Sequence, residues 1–162
     1  MIITPTFIIL IGIVFILTWL FVKTIDKRKW LTILVSLALT PIAYFYVVYP
    51  ILNIFSSYHH EKRFNPETWQ SKPELRFEML NHIITTDSLF TGKPKHDIEL
   101  LLGKPEWYGW DDHRKVNSQD LWNYNLGFKP GAFNTMQECI ELNFENNIVT
   151  TLRTYQLEKP LE

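Results

Sequence analysis

From Met1 to Tyr58 the chain carries charge in one place only, the segment Lys23-Thr24-Ile25-Asp26-Lys27-Arg28-Lys29, which splits two apolar runs. The first run, Met1 to Val22, has 22 uncharged residues. That is enough for roughly 33 Å of helix at about 1.5 Å per residue, against a bilayer core of about 30 Å. A cleavable signal peptide is the competing reading. However, Met1-Ile2-Ile3-Thr4-Pro5 has no basic n-region and no small-x-small site precedes Lys23, so the run is expected to be retained. In the second run, Trp30 to Tyr58, Trp30 and Tyr49 would stand about 28 Å apart along a helix, a spacing that suits two interfacial aromatic belts, with Trp19 at the level of Trp30. Residues 1–58 therefore read as a transmembrane helical hairpin, with helices at about 3–22 and 30–55 and a basic loop at 23–29. Pro41 removes a backbone donor inside the second helix and predicts a kink there.

Neither run holds an ionisable residue at depth, as proton relays and ion pathways usually require, so the hairpin reads as an anchor. Lys23, Lys27, Arg28 and Lys29 favour the cytoplasmic side for the loop, which sends both ends of the hairpin outward, although Lys62, Arg63 and Lys72 pull the other way. The overall hydrophobic content of 46% hides this division, because the apolar residues crowd into the first third of the chain. From Glu61 to Glu162 there are 12 Lys and Arg against 16 Asp and Glu. A mildly acidic head without a basic stripe argues against nucleic acid as a partner. Cys139 is the single cysteine, which excludes an internal disulfide, and it reads as a buried strand residue.

Residues 59–162 carry the signals of a small α+β domain. Asn65-Pro66 reads as a cap followed by proline at the first helical position, and Ser71-Lys72-Pro73-Glu74 has the form of a capping box. A helix is predicted from near Lys72 to Thr86-Asp87-Ser88, burying Leu75, Met79, Leu80, Ile83 and Ile84, with Arg76, Glu78 and Asn81 turned away. A second is predicted from Pro94 to Leu102, with Ile98, Leu101 and Leu102 buried and Gly103 and Pro105 as terminators. Beyond Pro105 the period becomes two. Trp122, Tyr124 and Leu126 alternate with Asn123 and Asn125, and Ile140, Leu142 and Phe144 with Glu141, Asn143 and Glu145, each pattern predicting a strand with one wet face. Asn146-Asn147 predicts a tight turn into a third strand, Ile148 to Tyr155, with a bulge beside the turn as one way to seat Ile148 and Val149.

The segment Leu89-Phe90-Thr91-Gly92-Lys93-Pro94-Lys95-His96-Asp97-Ile98-Glu99-Leu100-Leu101-Leu102-Gly103-Lys104-Pro105 resembles the helical part of BamE/SmpA/OmlA-like domains. Trp122-Asn123-Tyr124 and the hairpin from Ile140 to Leu152 are similar to the strands that follow in that family. The likeness covers roughly Glu74 to Tyr155 and implies an ααβββ, β-lactamase-inhibitor-like fold with a three-stranded antiparallel sheet, placed in the bacterial envelope and used to bind other proteins. Two features depart from it. Pro94 stands where the family commonly has Thr or Ser, and the helical hairpin replaces the N-terminal lipidated cysteine, which fits the plasma (inner) membrane.

Chemical motifs are few. Asp111-Asp112-His113 reads as a solvated loop, because three adjacent loop residues do not converge on one ion, and His59-His60 as an interfacial spacer. Neither a nucleophile elbow nor a glycine-rich phosphate loop is found, so catalytic residues, metal ligands and cofactors are all expected to be none. Aromatic density is the remaining feature. Trp107 and Trp122 are expected in the core, and Tyr108, Trp110, Phe128 and Phe133 on loops as partner-binding anchors. The expected protein is a non-catalytic, multi-pass bacterial plasma-membrane protein with lipid bilayer around its hairpin, an envelope protein as partner, and an extracytoplasmic head that binds or assembles. The alternative is an accessory or regulatory subunit packed into a larger membrane complex through small residues such as Gly12, Ser36 and Ala38. Oligomeric state is left open by the sequence.

Overall fold

The computed structural model describes residues 1–86 and 89–158. The chain divides into two compact units, Met1–His60 with Pro130–Ala132, and Glu61–Lys129 with Phe133–Glu162.

In the first unit, α1 (Pro5–Ile25) opens on Thr4, whose hydroxyl accepts from the Phe7 N–H, with Pro5 at the first helical position where no donor is needed. It runs one turn past the expected end, through Lys23 and Thr24. Then α2 (Lys29–Ala43), a π-helical turn (Tyr44–Val48) and α3 (Tyr49–Phe55) continue as one 27-residue rod. Both rods are long and apolar enough to cross a membrane. Pro41 lies inside α2, and the widened turn stands directly before Pro50, with the Tyr49 N–H reaching back to the Tyr44 carbonyl. Thr32, Ser36 and Thr40 recur at intervals of four and are buried, as are Val14 and Val22 on α1. The Thr18 and Thr40 hydroxyls meet at 3.0 Å between the rods. At the far end His60 lies among Phe7, Tyr44, Phe45, Tyr49 and Tyr58, stacked on Tyr49 at 4.5 Å between ring centroids.

The second unit is α+β. Helices α4 (Pro66–Ser71), α5 (Leu80–Thr85) and α6 (Lys95–Leu102) accompany a four-stranded antiparallel meander, β1 (Trp107–Asp111), β2 (Val116–Phe128), β3 (Met136–Glu145) and β4 (Ile148–Glu158). The sheet has one strand more than expected. Trp107-Tyr108-Gly109-Trp110-Asp111 does not alternate and its central glycine reads as a breaker, yet a Cβ at Gly109 would lie 2.5 Å from Glu141 Oε2 and 2.8 Å from Leu121 Cβ. The glycine is what allows this edge strand to approach its neighbours.

The long helix expected from Lys72 is replaced by α4, a 3₁₀ segment (Pro73–Met79) and α5. Asn65 caps α4 by accepting from the Thr68 N–H at 2.8 Å, whereas Lys72, the cap residue of the 3₁₀ segment, makes no side-chain cap bond. Three residues per turn rotate the buried face, so Arg76 and Glu78, expected outside, are buried, and Ile84, expected inside, is exposed. Arg76 is satisfied by the Trp69 and Asn125 carbonyls and the Glu106 carboxylate, with its guanidinium over the Trp69 ring. Asp87 and Ser88, where that helix was expected to fade, lie outside the described residues. At α6, Pro94 is extended and occupies the cap position rather than the first turn. Gly103 ends the helix with positive φ (81°).

Trp122, Tyr124, Leu126, Ile140, Leu142 and Phe144 form the core with Trp69, Phe77, Met79, Leu80, Ile83, Phe90, Ile98, Leu102 and Val149. Asn146 and Asn147 both take positive φ (51° and 66°), a turn that matches strand twist. A bulge at Asn143/Phe144 then turns Val149 inward and leaves Ile148 out.

Candidate functional site

The β-face opposite the core is not simply wet. Asn123 on β2 and Glu141 on β3 are paired in register and buried, although alternation placed both in solvent. Asn123 donates to Glu141 Oε2 (3.2 Å) and accepts from the Tyr155 hydroxyl (2.7 Å), while Arg153 Nε donates to Glu141 Oε1 (2.6 Å). Gly109 closes over this group from β1. A buried carboxylate with each oxygen bonded is a satisfied structural network. It also holds the edge strand that carries Tyr108 and Trp110. Residue period alone does not reveal it. The sequence signal that could have is Gly109 between two aromatic residues, the mark of a close backbone approach.

Tyr108, Trp110, Phe128 and Phe133 are 44%, 55%, 37% and 90% exposed. They do not form one patch. Tyr108 pairs with Trp122 and Trp110 with Asn117, whereas Phe128 pairs with Gln137 at the other end of β2. Six residues of strand, about 20 Å, separate the Trp122 and Phe128 positions. Trp122 is in the core as expected, and Trp107 is half-buried rather than core, because it pairs with Asn123 and so shares the polar network's face.

Trp110 stands beside a cleft of about 400 Å³ between the β1–β2 turn and β2–β3, lined also by Asp111, His113, Arg114, Asp120 and Glu145. Two of its carboxylates, Asp111 and Asp120, are engaged. Asp111 Oδ1 accepts from the backbone N–H groups of His113 (2.9 Å) and Arg114 (3.1 Å), and these bonds, that of Arg114 foremost, hold its carboxyl below the usual range. Asp120 pairs with Lys95 at 2.7 Å, and Lys95 in turn lies over the rings of Phe144 and Trp122. Among the described residues no group of three or more His, Cys, Asp or Glu side chains is arranged to hold a metal ion. What the cleft offers is an exposed indole with Arg114 and His113 among the other lining residues.

Neither the sequence, compared with protein-family profiles and curated proteins, nor the fold, compared with solved structures, finds a match.

Proposed function

We propose that this chain is a non-catalytic membrane-anchored protein whose head binds another protein of the bacterial cell envelope. The two apolar rods are its transmembrane anchor in the plasma membrane, and the head lies on the extracytoplasmic side. The observation that carries this reading is Trp110, more than half exposed on the short edge strand β1 beside the cleft, with exposed Tyr108 two residues away. Large aromatic side chains with their faces in water are the usual anchors of protein interfaces, and an edge strand adds unpaired backbone groups to them. The BamE/SmpA/OmlA-like resemblance of the α6 segment and strands points the same way. Phe128 and Phe133 would belong to a separate contact.

A photo-activatable residue at Trp110 in whole cells should yield a discrete cross-linked envelope protein, and Tyr108→Ala should weaken its capture by about tenfold or more while leaving the fold intact. Absence of any adduct from Trp110, with adducts from Phe128 or Phe133 instead, would move the interface to the other end of β2. The accessory-subunit alternative keeps one specific support: a Cβ at Gly12 would meet no atom within 4 Å and Ala38 is exposed, so both could receive another helix. Ser36 could not, since it is buried within the hairpin.

A further inference from the structure

Where α1 turns into α2, Trp19, Lys23, Lys27, Lys29, Thr32 and Ile33 line a pocket of about 420 Å³. Lys23 and Trp19 are one turn apart on α1, and the Lys23 ammonium lies 5.1 Å over the indole ring. Asp26, the one acid of the turn, directs Oδ1 at the Arg28 backbone N–H (2.7 Å). The Thr32 hydroxyl is committed to the Asp26 and Arg28 carbonyls. Among the described ion pairs none involves Lys23, Lys27 or Lys29. Three lysines thus line a pocket that an indole and an isoleucine also line.

A free phosphate would satisfy the charges but leave those walls wet. An amphiphile with an anionic head satisfies both. We propose that this pocket binds the headgroup of an anionic glycerophospholipid, its phosphate held by Lys23, Lys27 and Lys29 and the start of its acyl chains lying along Trp19 and Ile33. The site rests on the reading that α1 and α2 span a bilayer, which puts the ends of both helices at the headgroup level.

The test uses the full chain reconstituted in phosphatidylcholine bilayers, with spin-labelled phosphatidylglycerol or phosphatidylcholine as the probe and the motionally restricted fraction as the readout. Phosphatidylglycerol should be retained about tenfold over phosphatidylcholine, and Lys27→Gln or Lys29→Gln should each lower that preference by about threefold to fivefold. Trp19→Ala, which changes no charge, should lower it too, and Arg28→Gln, outside the pocket, should lower it less than Lys27→Gln. Equal retention of the two lipids overturns the site while leaving membrane insertion intact. A loss with Arg28→Gln as large as with Lys27→Gln, and none with Trp19→Ala, overturns it in favour of diffuse surface charge. Displacement by excess inorganic phosphate reassigns the pocket to a soluble anion. If neither lipid shows a restricted fraction, the bilayer reading itself fails and the site falls with it.

Discussion

At the scale of single residues, the polar face of the sheet makes the head sensitive to alkali. Cys139 is fully buried on β3 and pairs in register with Tyr155, whose hydroxyl donates to Asn123. Burial pushes the Cys139 thiol up to about 11 and the Tyr155 phenol up to about 12, and pushes Tyr124 in the core upward as well. All three groups are neutral when protonated, and the folded state holds those protons more tightly than an unfolded chain, where thiol and phenol ionise near their model values of 9.0 and 10.0. Their contribution is therefore complete below pH 9 and is lost as pH rises through about 11 for the thiol and 12 for Tyr155. The urea midpoint of the detergent-solubilised chain, followed by tryptophan fluorescence, should be flat up to pH 9 and then fall. In Cys139→Ala the fall should begin about one pH unit later, where the tyrosines take over. A midpoint that stays level to pH 11 in the unmodified protein would contradict this account.

Among the elements, the pairing of α1 with α2 depends on a seam of small polar residues. Each hydroxyl of the Thr32, Ser36 and Thr40 series bonds back into its own helix, Ser36 to the Thr32 carbonyl and Thr40 to the Ser36 carbonyl, both at 2.7 Å. Little polarity is left to face the partner helix, since the single protons of Thr18 and Thr40, whose hydroxyls meet at 3.0 Å, are directed at carbonyls of their own helices. Close approach rather than hydrogen bonding then holds the pair, so Ser36→Ala should be tolerated and Ser36→Leu should force the rods apart. Disulfide trapping between cysteines placed at positions 18 and 40 reads this directly, with efficient trapping in Ser36→Ala and a drop of about fivefold or more in Ser36→Leu. Equal trapping in both would show that the seam is not tightly packed.

The same seam shows what sequence period can and cannot disclose. The two apolar rods and the 146–147 turn follow from composition, because a long apolar run and consecutive asparagines each constrain the chain locally. Strands β2 and β3 were legible for the same reason, each having one clean apolar face. By contrast β1, the 3₁₀ segment and the burial of Arg76, Asn123 and Glu141 depend on neighbours distant in sequence, such as Glu106 for Arg76 and Tyr155 for Asn123. The exposed aromatic residues were legible one by one. The separation of Tyr108 and Trp110 from Phe128 along β2 was not, because it is set by strand register.

For the whole molecule, orientation is an electrostatic question that the fold leaves to charge bias. On the proposed reading, four basic residues and one acid in the segment Lys23–Lys29, with no Lys or Arg among residues 1–22, favour a cytoplasmic loop and an extracytoplasmic head. Lys62, Arg63 and Lys72 oppose this. Cys139 cannot report the side, being buried. Lys115, at a positive-φ position in the exposed β1–β2 turn, is the better site. In Lys115→Cys, a membrane-impermeant maleimide should label intact spheroplasts as fully as lysed ones. Replacing Lys27, Arg28 and Lys29 together by Gln removes most of the bias, so a fraction of molecules should invert and labelling in intact spheroplasts should fall below that after lysis. Labelling of Lys115→Cys only after lysis would put the head in the cytoplasm, and the search for its partner would move there.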